Sequence, residues 1–148
     1  MLGAVRRREP TDRKQRGSGL VEAALVMLTF LMLVLGIIDF GQMLYYHQVL
    51  VERARTAARY ATTHPTETTG IQNMAVYNSA SPSDTSTAVV NGLTTSMVSV
   101  VNSGNNTPEA RVTVTISGYT INKLSPYITG TFTNRPIVVG VTAENQVP

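Results

Sequence analysis

A chain of 148 residues has room for about one domain, and only 14% of this one is charged, against roughly 25% in an ordinary soluble domain. The absence of cysteine excludes disulfides, thiolate metal sites and a thiol nucleophile. Nor does the net charge of +3 describe a basic face for nucleic acid: six of the 12 cations fall in the first 16 residues, and none lies between Arg59 and Arg111.

Residues 1–17, MLGAVRRREPTDRKQRG, set Arg6, Arg7, Arg8, Arg13, Lys14 and Arg16 against Glu9 and Asp12, without apolar periodicity. They read as an unstructured basic leader. From Leu20 to Ile38, Glu22 is the only charge. About 20 apolar residues cross the roughly 30 Å of bilayer hydrocarbon, so residues 18–41 are expected to form a transmembrane helix in contact with lipid. A cleavable secretory signal has a shorter apolar region, about 7–15 residues, followed by a small-residue site. Here the run ends instead in Asp39-Phe40-Gly41-Gln42, and Asp39 reads as the outer membrane boundary. Basic flanks stay on the cytoplasmic side. The leader is therefore expected on the cytoplasmic side of a single-pass span, with the remainder of the chain outside.

Helical spacing continues through residues 42–62. Phe40, Leu44, His47, Val51, Ala54, Ala58 and Ala61 recur at steps of four and three, beside a polar stripe of Tyr45, Gln48, Glu52, Arg55 and Arg59. No proline interrupts residues 20–61, so one continuous helix about 63 Å long is expected, and its apolar stripe needs a protein partner. His47 reads as a packing or interfacial residue on that stripe.

Residues 63–148 change texture. THPTETTG is a linker, and Ile71, Met74, Ala75 and Asn78 suggest a short helix. Ser81-Pro82-Ser83-Asp84 precedes Val89, Val90, Leu93, Met97, Val100 and Val101 at helical spacing, which predicts a second short helix despite the turn signal Asn91-Gly92. Ala110, Val112, Val114 and Ile116 alternate with polar residues and predict a strand, as do Ile137, Val139, Val141 and Ala143; Tyr127–Thr133 is a third candidate. The expected fold class is α+β, a long N-terminal helix followed by a small helix-plus-antiparallel-sheet module.

Catalytic constellations are not found. His47 and His64 stand apart without carboxylates at ligand spacing, no phosphate loop or carboxylate pair occurs, and neither a metal nor a cofactor nor a small-molecule substrate is expected. Asp39-Phe40-Gly41 matches the kinase metal-binding tripeptide, but the other kinase segments are missing. Asn105-Asn106-Thr107 is a sequon followed by Pro108. The informative junction is Arg16-Gly17-Ser18-Gly19-Leu20-Val21-Glu22. Glu22 has two readings: an acid in the first helical turn, favoured by the helix dipole, or a carboxylate placed in lipid for a partner.

The stretch RGSGLVEAALVMLTFLMLVLGIIDFGQMLYYHQVLVERARTAARYA, residues 16–61, resembles the start of TadE-like proteins, minor pilins of tight-adherence (Tad) pilus systems. The likeness rests on Gly17, Val21-Glu22, Gly36-Ile37-Ile38-Asp39-Phe40-Gly41 and Ala57-Ala58-Arg59-Tyr60-Ala61. The resemblance implies a pilin-like fold and a non-enzymatic role in pilus assembly. It also implies cleavage between Gly17 and Ser18 by a prepilin peptidase, with other pilins and the Tad secretion machinery as partners. Glu22 would then pair, as helices bundle, with the new Ser18 amine of a neighbouring subunit. The rival readings are an uncleaved, signal-anchored surface protein whose outer module binds a ligand or partner, and a secreted protein with an unusual signal peptide.

Overall fold

The computed structural model describes residues 12–104, 110–121 and 131–142, with side chains from Gly17 onward. One helix dominates it: α1, Asp12–Thr63, has 52 residues and is about 78 Å long. It begins earlier than expected. Residues 12–17 belong to the segment read as unstructured, yet Asp12-Arg13-Lys14-Gln15-Arg16 consists mostly of good helix formers, with an acid where the dipole favours one.

The expected short helix is α2, Thr68–Tyr77, which buries Ile71, Ala75 and Val76. It ends at Asn78, whose left-handed backbone (φ 59°) lets its N–H reach the Met74 carbonyl; asparagine tolerates that conformation better than most residues. Arg53 Nη1 of α1 donates to Asn78 Oδ1 at 3.0 Å, tying the cap to the long helix.

The helix expected over residues 84–101 is not formed. Two turns and a single 3-10 turn, Thr95–Met97, lead instead into strand β1, Val98–Ser103. Of the apolar residues read at helical spacing, Val90 and Leu93 are buried, Met97 and Val100 are half-buried, and Val89 and Val101 are exposed, while Val98, outside that spacing, joins the core. Gly92, however, takes φ +83°, which no helix accommodates, and Thr94-Thr95-Ser96 favours extended and turn conformations. The Asn91-Gly92 pair is thus a real turn, although not a hairpin. The Val100-Val101 doublet hid the alternation of β1, where Val101 faces solvent.

β2, Arg111–Ile116, and β5, Ile137–Thr142, lie where the alternation placed them. They form with β1 an antiparallel sheet of order β1-β2-β5. Its register stacks three inward rows: Val98, Ile116 and Ile137; Val100, Val114 and Val139; Asn102, Val112 and Val141. A separate two-stranded ribbon joins β3, Thr120–Ile121, to β4, Phe132–Thr133. Only its second strand was foreshadowed, by the end of the 127–133 candidate, and residues 127–130 lie outside the described residues. So do Ala143 and the sequon at 105–107.

The sheet's inner face and α2 close on the upper half of α1, where Leu50, Ala54, Ala57, Ala58 and Ala61 are almost wholly buried. The partner that the projecting helix required is therefore the chain's own module. Alanines on this face bring backbone close to backbone and leave room for Ile71, Val112, Val114 and Ile116. The outer edge of β1 is held by side chains, with Gln72 Nε2 donating to the Val98 carbonyl (2.9 Å) and Asn102 Nδ2 to that of Pro65 (2.7 Å).

Candidate functional site

The buried stripe of α1 is offset from the expected one. It follows Asp39, Tyr46, Leu50, Ala54, Ala57 and Ala61, whereas Phe40, Leu44 and His47 face outward. The expected stripe is right from Val51 upward and one step round the helix below that point. His47 does not pack against the module; it borders a shallow surface groove with Gln48, Val51, Glu52 and Arg55.

Asp39 is the residue the sequence under-read. It is 6% exposed, the only buried charged side chain among the described residues, and it sits between exposed Ile38 and Phe40. It lies on the same face of α1 as Tyr46 and Leu50. The signal was available in the spacing of Asp39 to Tyr46 and Leu50 (seven and eleven residues), which continues down the helix the rhythm of the buried alanines.

At the N-terminal end, Gly17, Ser18 and Glu22 are all exposed on an unbroken helix. A Cβ at Gly17 or at Gly19 would meet nothing within 4 Å, so packing does not require glycine at either position. Because α1 begins at Asp12, Glu22 lies almost three turns into it. The dipole acts within the first turn, so the dipole reading of Glu22 does not apply to the chain with its leader attached. Ser18 and Glu22 stand four residues apart on one face, about 6 Å along the axis.

At the opposite end, the α1–α2 corner forms an open polar concavity of about 690 Å³, bordered by Tyr60, Glu67, Thr69, Asn73 and Ser81. Tyr60 Oη donates to Glu67 Oε2 at 2.7 Å, and the His64 ring stacks on Tyr60 at 4.4 Å. Thr63 Oγ1 donates to the Tyr60 carbonyl (3.2 Å) and lies 2.9 Å from His64 Nδ1. Thr63 and His64 thus share a hydrogen bond whose direction follows the imidazole tautomer. No group of three or more potential metal ligands occurs among the described residues.

Two tyrosines have raised pKa values. At Tyr60 the cause is first the hydrogen bond to Glu67, then desolvation, then the Glu67 charge. At Tyr119 it is burial, with a smaller contribution from Tyr46. A phenol whose pKa is higher in the fold contributes stability that is complete below its unfolded value, near 10, and lost as pH rises through the folded one. The module should therefore lose stability in alkali, and Tyr119→Phe should flatten the fall. Thermal melts between about pH 8 and pH 11 check this; an unchanged slope in the variant would contradict it.

Below the module, α1 is the one helix among the described residues long and apolar enough to cross a membrane, and none of its apolar window is buried. Residues 17–59 match the family model described as TadE-like protein. The match covers less than a third of the chain, starting at Gly17 and ending within α1. No curated protein and no solved structure matches. The family match and the exposed apolar helix together support a membrane protein related to Tad pili.

Proposed function

We propose that this chain is a non-enzymatic minor pilin or pseudopilin of a Tad-type pilus. In this reading residues 18–41 anchor it in the inner membrane with residues 1–17 cytoplasmic. A prepilin peptidase removes that leader after Gly17, and the mature chain joins other pilins and the secretion machinery. The observation that carries the proposal is the coincidence of the family match with Gly17, Ser18 and Glu22 on one exposed helical segment.

The geometry adds a physical role for the glycines. A peptidase must open the backbone at the bond it cuts, and the Gly17–Ser18 bond lies inside a helix. Each helical glycine weakens that helix by about 1 kcal/mol relative to alanine, so Gly17 and Gly19 make this turn the easiest to unwind. Cutting creates an amine on Ser18 and brings the helix start to within one turn of Glu22. The carboxylate then has the amine of its own chain within reach, as well as that of a neighbour.

The test is co-isolation. The full chain, affinity-tagged at its C-terminus and extracted under mild conditions from cells making a Tad pilus, is expected to bring pilins and assembly proteins with it. Recovery of the chain alone, from cells whose pili are intact, would contradict the proposal and favour the uncleaved surface protein.

A further inference from the structure

Resting on the reading of α1 as a membrane anchor, we infer that the outer lipid boundary lies at Tyr45–Gln48 rather than at Asp39. On this inference the base of the module is seated in the headgroup layer.

The exposed apolar surface of α1 does not stop at Asp39. Phe40 is 62% exposed, Leu44 50%, and Met43 is also open. They lie on one side of the helix, directly continuous with Phe30, Leu33 and Ile37 below, and no described part of the module covers them. Above the apolar run Gln42 is half-buried, the first exposed polar groups are the Tyr45 phenol, His47 and Gln48, and the next charge after Asp39 is Glu52. A charge at position 39 would ordinarily end a lipid-facing run. This one is buried, so it offers lipid no charge to solvate, and the apolar surface continues past it for more than a turn. The carboxylate stays within the chain's own packing, where intramembrane charges are normally found.

The aromatic residues mark the same level. Tyr45 and Tyr46 meet edge to face at 5.7 Å, and Tyr46 packs on Tyr119 at 5.9 Å. Tyrosines with an apolar body and a polar tip concentrate at the headgroup level. Tyr119 also orients the module. It follows the Ile116 end of β2, whereas Asn102, opposite Val112 near the other end, bonds Pro65 beyond the top of α1. The Ile116 end therefore points to the membrane, and the β3–β4 ribbon that departs from Tyr119 lies on that side. Moving the boundary from Asp39 to Tyr45 displaces it by about 9 Å along the helix. Counting about 20 residues back from Leu44 places the inner boundary near Leu25. Glu22 then lies among the cytoplasmic headgroups, where a carboxylate costs less than in hydrocarbon.

The absence of cysteine makes the test direct. Single Leu31→Cys, Phe40→Cys, Leu44→Cys and Gln48→Cys variants of the full chain, in phosphatidylcholine–phosphatidylglycerol vesicles, are exposed to a membrane-impermeant maleimide. In parallel, a bimane attached at each position in detergent is reconstituted with chain-brominated phosphatidylcholine, which quenches only probes in contact with acyl chains. The expected result is that positions 31, 40 and 44 resist the maleimide and are quenched, while position 48 labels and is not. Labelling of positions 40 and 44 with position 31 protected would overturn the inference and leave the anchor reading intact. Protection of position 44 without quenching would show protein rather than lipid there, and would also overturn it. Labelling at position 31 would remove the anchor reading itself.

Discussion

Replacing Ala57 by leucine is expected to unseat the module from the helix while leaving the protein in the membrane. Ala57 is fully buried where α1 meets the module, among Ala54, Ala58 and Ala61. Three added carbons must push against the residues packed there, and overpacking of this kind costs about 1–3 kcal/mol. That is a large share of what a module of this size can hold, because small domains bury too little surface for a wide margin. The apolar run below Tyr45 is unaltered, so insertion should not change. Limited proteolysis of the membrane-bound chain checks the prediction: residues 64–142 should become susceptible in the variant while a fragment containing the span persists. Arg55→Leu, on the exposed face of the same turn, should leave the digestion pattern unchanged. Equal resistance of the Ala57→Leu and unaltered chains would mean that α1 does not carry the module as described.

Glu22→Ala is expected to leave the chain inserted but poorly incorporated into an assembly. Losing a charge-assisted pair between Glu22 and a Ser18 amine removes about 1.5–3 kcal/mol, tenfold or more in the incorporation of each subunit. Glu22→Gln keeps the size and loses the charge, and should behave like the alanine variant. Quantifying the chain in purified pili and in membrane fractions separates assembly from insertion. Normal incorporation of both variants would confine Glu22 to its own helix, with no role between subunits.

The long helix and two of the strands were legible because each rests on periodicity within one segment. A mostly apolar run from Leu20, with Glu22 its only charge up to Ile38, and three-and-four spacing up to Ala61 specify α1, and strict alternation specifies β2 and β5. What was not legible depended on which face meets what. Phe40 and Leu44 have the spacing of a packing stripe, yet they are exposed, while Tyr46 and Leu50, one step round, are covered by the module. The sequence between Asp84 and Ser103 failed differently. Val90 and Leu93 are buried but Val89 and Val101 are exposed, because a turn at Gly92 and a β-branched run convert helical spacing into loop and strand. At the candidate junction, Gly17, Ser18 and Glu22 were identifiable from residue type and spacing. Their exposure, and the continuation of the helix below them to Asp12, were not. Asp39 reads in the sequence as a membrane boundary, and its burial was not legible there, since burial depends on what packs against that face of the helix.

The most direct test of the account is the mass of the N-terminus of the chain isolated from cells with and without the prepilin peptidase. A mature protein starting at Ser18 in the first and an intact leader in the second is the predicted result. Six cations and two acids depart with residues 1–17, leaving six cations and seven acids on the protein that remains, so the basic character of the full chain leaves with its leader. An intact leader in both strains, or a new terminus beyond the apolar run, would contradict the account.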